Sequence, residues 1–295
     1  VALPFAGEAV ALASAFFYAA GAVAIAKGAQ TRADDGGGAL LSVVVTGAMA
    51  GGLWLVLGPP LPPGGAEVWR GVLLFALAGV LANLIGRLLM FRSVALAGAI
   101  ETGVLRRLIS VFAAALAVAL LGERITGPVA LGVALIFAAV AVTVLRRGVP
   151  GGTGAGRALG RALGVGSAAG YGGAYVARKA ALGGLPDPLI GTLIGAVAGG
   201  LSYGVLALRR GPRLARRWPS GWQVAAAALI SLGQIAQFFA LSLTTVTAVA
   251  VIGACEMFFS AWLAAAVLRT EPWPGPVFLL SSTLALAGAA AIAFG

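Results

Sequence analysis

The chain reads as an all-α integral membrane protein whose ten transmembrane helices form two inverted five-helix repeats, and three observations predict this fold class. The mean hydropathy is +1.02, with 60% hydrophobic and only 10% charged residues, which lies far outside soluble globular usage. The stretch Glu123-Arg-Ile-Thr-Gly127-Pro128-Val129-Ala-Leu131 is answered by Glu271-Pro-Trp-Pro-Gly275-Pro276-Val277-Phe-Leu279. In both copies an apolar run of about twenty residues ends at the glutamate, and Gly-Pro opens another of similar length. Finally, Ser14-Ala-Phe-Phe-Tyr18 is matched by Ser167-Ala-Ala-Gly-Tyr171, each followed by a cationic cluster. Two echoes in the same order imply an internal duplication with a period of about 150 residues.

Hydropathy windows place spans near 7–29, 38–57, 70–93, 97–121, 127–145, 160–181, 187–208, 221–243, 246–268 and 275–294. The connections are short, so no soluble domain is expected. Residues 1–147 form the first repeat, 148–159 a flexible basic linker whose glycines and Pro150 oppose a helix, and 160–295 the second repeat. An odd number of spans returns the chain on the opposite side, so the second repeat is inverted relative to the first. Such halves can exchange conformations around one central site near the membrane midplane.

The first span places Ser14 and Tyr18 on one helical face, with Lys27 snorkelling at its end. It is too long for a signal-peptide core and lacks a basic leader, so it is read as a true span. Residues 30–38 form a polar turn, and the proline-rich stretch from Gly58 to Gly65 cannot continue a helix. The third span carries Asn83 and Arg87 one turn apart, and the fourth carries Glu101, Arg106 and Arg107. Ionisable groups cost about 2.5–3.5 kcal/mol each at the centre of a bilayer, so these should face protein or water, whereas Arg92 snorkels to an interface. The sixth span repeats the pattern with Ser167, Tyr171 and Tyr175 at successive turns, ends at Arg178-Lys179, and is rich in glycines that allow close helix approach. The eighth carries Ser231, Gln234 and Gln237, amides that either bond a neighbouring helix or line a site. Glu256 lies deep in the ninth span, as a functional carboxylate or as a salt-bridge partner of Arg106 or Arg107.

The absence of histidine and the single Cys255 exclude a disulfide framework and any His-based metal or nucleophile chemistry. No enzyme activity, metal or cofactor is expected. The net charge of +11 resides largely at span ends, including Arg209, Arg210, Arg213, Arg216 and Arg217, and suits anionic lipid headgroups rather than nucleic acid. The odd-numbered connections hold most of the cations, which by the positive-inside rule places them in the cytoplasm and both termini outside.

The span-ending Gly122-Glu-Arg-Ile-Thr126, followed by Gly132 and Leu135, and Glu256 fifteen residues before Glu271 complete a pattern that resembles a known family. It is that of the ten-helix EamA-type members of the drug/metabolite transporter superfamily, and the resemblance covers nearly the whole chain. The sequence departs from that family where it commonly shows Glu-Pro: Glu256 is followed by Met257, and the first half has Leu108-Ile109. The resemblance implies a multi-pass exporter of small solutes, most naturally amino acids or related metabolites, in a bacterial inner (plasma) membrane. It also implies both termini inside, opposite to the charge rule. A proton as coupling ion would act at Glu256. The same fold also serves nucleotide-sugar or phosphorylated-metabolite antiporters and lipid-carrier flippases, for which Arg87, Arg106 and Arg107 would bind phosphate.

The candidate substrate site combines Ser14, Tyr18, Asn83, Arg87, Glu101, Ser167, Tyr171, Tyr175, Gln234 and Gln237, with Arg106, Arg107 and Glu256 for coupling or a salt bridge. Tyr18 and Tyr171 occupy equivalent places, so a pseudo-two-fold axis should set them on opposite walls of one cavity. Aromatic walls with Tyr175, Asn83 and Gln234 predict a pocket for a small zwitterion or amphipathic metabolite rather than a polyanion.

Overall fold

The computed structural model of the chain describes residues 5–31, 37–97, 102, 105–147, 155–210, 220–268 and 275–294. Among them run ten helical segments: α1 (Ala6–Thr31), α2 (Gly37–Leu57), α3 (66–97), α4 (Leu108–Leu121), α5 (Gly127–Arg147), α6 (Ala155–Gly184), α7 (Pro188–Arg210), α8 (Gly221–Leu243), α9 (246–268) and α10 (Pro276–Phe294). Six of them, α1, α2, α3, α7, α8 and α9, are long and apolar enough to cross a membrane, and α4, α5 and α10 carry shorter apolar stretches. The 30-residue α6 is long enough, but its glycines, tyrosines and cations dilute its hydropathy. The protein is all-helical and multi-pass.

Local chemistry sets the helix ends. Gly122, at φ 68°, closes α4 in the left-handed conformation and leaves Glu123 as the next residue. Asp187 opens α7 by accepting from the Leu189 and Ile190 amides, and Ser220 with Gln223 forms a reciprocal cap on α8. Two expected boundaries shift. The third helix begins at Ala66, directly after the proline-rich loop, and α6 already starts at Ala155, inside the stretch expected as linker. Glu271, Glu101 and residues 148–154 of that linker lie outside the described residues.

Three helices are irregular in ways that periodicity does not reveal. In α3, Val80–Gly86 is π-helical, a widened turn that carries Asn83 and immediately precedes Arg87. In α4, a tight turn at Arg106 and Arg107 precedes the regular helix, with i+3 hydrogen bonds from Ile109 N to Arg106 O and from Ser110 N to Arg107 O. In α9, the same kind of turn occurs at Ala254 and Cys255, between Val246–Gly253 and Glu256–Leu263.

Packing runs chiefly across the halves. α1 lies on α8 and α9, α2 on α7 and α8, α3 on α6 and α7, α4 on α6 and α9, and α5 on α10. Each pairing therefore has a counterpart when the first five helices are exchanged with the last five. Small residues allow the closest approaches. A Cβ on Gly132 of α5 would stand 2.5 Å from the Gly288 carbonyl oxygen of α10, and one on Gly288 would stand 2.7 Å from that of Gly132. A Cβ on Gly79 of α3 would lie 2.4 Å from the carbonyl of Gly195 on α7.

Candidate functional site

The serine–tyrosine pairs are the joints of this packing. Ser14 on α1 donates to the Gly233 carbonyl on α8 at 2.7 Å, and Ser167 on α6 donates to the Gly86 carbonyl on α3 at 2.6 Å. One turn beyond each serine, the tyrosine ring covers the same glycine. A Cβ on Gly233 would meet Tyr18 at 3.2 Å, and one on Gly86 would meet Tyr171 at 2.9 Å. Each pair thus clasps a glycine in the third helix of the opposite half, and the two glycines correspond within one residue of the register set by Glu123 and Glu271. Ser167 is fully buried with its hydroxyl committed to the Gly86 carbonyl, and it is not among the residues that line the cavity. Ser14 borders the cavity, with its hydroxyl likewise committed to backbone.

The two clasps flank a cavity of about 740 Å³. Tyr18, Asn83, Arg87, Arg106, Arg107, Tyr171, Tyr175, Gln234, Gln237 and Glu256 all line it. Along α1 its wall runs from Ala11 to Gly28, about 25 Å at 1.5 Å per residue. Gly28, Gly38 and Gln223 border it where α1 ends and α2 and α8 begin. Toward the opposite end, polar contacts join the helices. Glu123 accepts from the Val246 amide at 2.6 Å, the Thr247 amide at 3.1 Å and the Thr247 hydroxyl at 2.8 Å, thereby capping the start of α9. Lys179 donates to the carbonyls of Leu241 and Thr244 at 2.7 and 2.8 Å, and the Thr244 hydroxyl donates to Glu8. Two carboxylates and one ammonium thus join α1, α4 and α6 to the α8–α9 turn.

Within the cavity, Gln237 links two walls. Its amide donates to the Tyr175 hydroxyl at 2.6 Å, and its carbonyl oxygen accepts from Arg178. Arg178 is buried, with its guanidinium carbon 4.7 Å from the Phe238 ring centroid and 6.0 Å from that of Tyr175. Arg87 sits beside the hydroxyls of Tyr171 and Tyr203. Arg107 donates to the Ala254 carbonyl at 3.3 Å, so the turn in α4 meets the turn in α9. Glu256 is the acidic neighbour of both Arg106 and Arg107, but among the described residues it forms an ion pair with neither. The Nε atoms of Arg106, Arg107 and Arg178 are buried with no hydrogen-bond partner among the described residues. The pocket is therefore far more basic than the neutral, aromatic one that Tyr18, Tyr171 and the amides predict. Glu101, expected beside these arginines, lies outside the described residues.

Among the cavity residues that sequence reasoning missed are Arg178 and Tyr203. Arg178 reads as a span-end cation, yet α6 continues to Gly184 and Arg178 follows Tyr171 and Tyr175 on the same face, at i+7 and i+3. That stripe was the available signal. Tyr203 carries none, because its place beside Arg87 depends on how α7 crosses α3.

Residues 5–145 match the sequence profile of the EamA-like transporter family. No curated protein matches the chain in sequence. In three dimensions it is similar to a protein of known crystal structure at TM-score 0.75 and 17% identity, over 97% of this chain and 95% of the other, a likeness that establishes the fold. Residues 5–145 thus form an EamA-like transporter domain, of a family whose members are membrane transporters of small solutes and not enzymes.

Proposed function

We propose that the protein exports amino acids or related small metabolites across a bacterial plasma membrane by alternating access, with the cavity between Tyr18 and Tyr171 as its central site. The observation that carries this reading is the pair of reciprocal clasps, Ser14 and Tyr18 on Gly233 and Ser167 and Tyr171 on Gly86, flanking one cavity. Together with the exchanged helix pairings, they support two inverted repeats, 1–147 and 160–295, either of which can take the conformation of the other. In this reading, the Glu123, Lys179 and Thr244 contacts form the closed gate, and the end near Gly28, Gly38 and Gln223 is open.

Transport requires the cargo to bind between halves that move, so groups on both walls should contribute. The test is export from loaded proteoliposomes by wild-type protein and by Tyr18→Ala and Tyr171→Ala variants. Each substitution removes one aromatic wall without touching the serine hydrogen bond, so the proteins should insert normally and lose transport. Unimpaired transport by the double variant would reject this site.

A further inference from the structure

The cavity's charge identifies the kind of cargo more narrowly than its aromatic walls do. Among the described residues, four guanidinium groups, Arg87, Arg106, Arg107 and Arg178, and one carboxylate, Glu256, line it. In a membrane-spanning bundle each such charge carries a desolvation cost that is offset by a partner of opposite sign or by water. Here the partners are mostly neutral. Arg178 donates to an amide oxygen, Arg107 to a backbone carbonyl, and Arg87 lies beside two tyrosines. Glu256 is the acidic neighbour that Arg106 and Arg107 share.

The charge does not follow the duplication. In the register of the clasps Arg87 stands opposite Gln234, in the register of the helix turns Arg106 stands opposite Ala254, and in the register of the serine–tyrosine pairs Arg178 stands opposite Ile25. All three counterparts are uncharged and line the same cavity. The scaffold residues Ser, Tyr and Gly are thus kept in both halves, whereas none of these three arginines has a cation at its own register position, the nearest being Lys27, two residues from that of Arg178. A cation needed to hold the repeated fold together would be expected in both copies, so these single arginines belong to the contents of the cavity.

Resting on the transporter reading above, we infer that the cargo is a small organic anion, carrying more negative than positive charge in carboxylate or phosphoryl groups on a compact, partly apolar body. The planar forks of Arg106 and Arg178 suit such oxygens, which accept paired N–H groups. Tyr18, Tyr171, Tyr175, Met90 and Ile230 cover the remainder of the wall. A zwitterion of zero net charge would add nothing to offset the excess of guanidinium charge among the described residues. An acidic amino acid, a dicarboxylate or a phosphate ester would neutralise it.

The experiment loads proteoliposomes with a water-soluble bacterial metabolite extract and follows, by mass spectrometry, which compounds leave faster than from protein-free liposomes. The expected result is selective loss of compounds with net negative charge at neutral pH, and their identities separate carboxylates from phosphate esters. With the preferred compound, Arg106→Gln should raise the half-saturating concentration about tenfold or more, and Arg106→Lys, which keeps the charge but not the paired N–H groups, should restore part of it. Arg106 is suited to this test because no hydrogen bond of the described fold depends on its side chain. Loss restricted to neutral, zwitterionic or cationic compounds, or an Arg106→Gln variant with unchanged half-saturation, would overturn the inference and leave the transporter reading intact. Loss of no compound would overturn both.

Discussion

Ser14 on α1 holds the backbone carbonyl of Gly233 on α8. The tyrosine four residues later packs on that glycine, and the same arrangement joins Ser167 and Tyr171 to Gly86. The motif explains why serine, tyrosine and glycine recur: the serine needs a carbonyl within reach, and the carbonyl comes within reach only where the facing residue has no side chain. Ser14→Ala and Ser167→Ala should each lower stability by about 1 kcal/mol, the ordinary worth of one buried hydrogen bond. Gly233→Val should cost more, about 1–3 kcal/mol, because its side chain would press on Tyr18. Thermal unfolding of the purified variants checks both the sizes and their order.

Glu123 serves the closed end as the cap of α9. Glu123→Gln keeps one acceptor oxygen but loses the charge that the α9 amides and the helix dipole favour. The expected cost is about 1 kcal/mol, or an unfolding midpoint lower by about 2–4 °C. Because the lost contact belongs to one gate, the variant should also shift the balance of states toward opening at that end. A cysteine at Ala248, buried in the closed form, should then react faster with a membrane-impermeant maleimide in a Cys255→Ser background. Equal labelling rates in the two proteins would remove Glu123 from the gate.

Glu256 faces Arg106 and Arg107 from the start of the second part of α9. Neutralising it in Glu256→Gln leaves the cavity with only cations among its described charged residues. An anionic cargo should therefore bind more tightly, with a half-saturating concentration lowered about threefold to tenfold, and should leave more slowly, so that turnover falls. Measuring both constants in proteoliposomes separates this from simple misfolding, which would lower turnover without tightening binding.

The α5–α10 contact depends on two glycines in register. Gly132→Leu would drive a side chain into the Gly288 carbonyl and Ile292, and the expected loss is about 1–3 kcal/mol with no change in cargo preference, since neither residue lines the cavity. Unchanged thermal stability of Gly132→Leu would show that the helices do not meet there.

Two expectations for membrane orientation oppose each other: the cation bias of the odd connections puts both termini outside, and the family resemblance implies both inside. We propose that the closed end is cytoplasmic, which makes this an outward-open arrangement. Gly64 lies exposed in the α2–α3 loop, and that loop is at the same end as the start of α1. A cysteine there, in the Cys255→Ser background, should react with an impermeant maleimide only after cells are opened. Labelling of intact cells would reverse the assignment.

Much of this arrangement is legible in the sequence because hydropathy and duplication are properties of the chain itself. The ten helices, the Ser14–Tyr18 and Ser167–Tyr171 correspondence and the cavity positions of Tyr18, Tyr171, Tyr175, Asn83 and Arg87 follow from span length and i, i+4 spacing. What periodicity conceals depends on departures from a regular helix or on neighbours far away in sequence. Ser167 reads as a lining residue because its backbone partner Gly86 is not visible from spacing. Arg178 reads as an end anchor because the sixth span is too polar to show its true length. The balance of charge in the pocket is misjudged for the same reason, since one unnoticed arginine and a shared carboxylate decide it.

The most direct test joins the two sides of the closed end. Glu8 and Thr244 touch there, one at the start of α1 and the other just after α8. Cysteines at both positions, in the Cys255→Ser background, can be linked by a short bifunctional thiol reagent and released by reduction. If the cavity serves transport by opening alternately to the two ends, linked protein in proteoliposomes will bind cargo but not release it across the membrane, and reduction will restore flux. Full transport by quantitatively linked protein would contradict alternating access through this cavity.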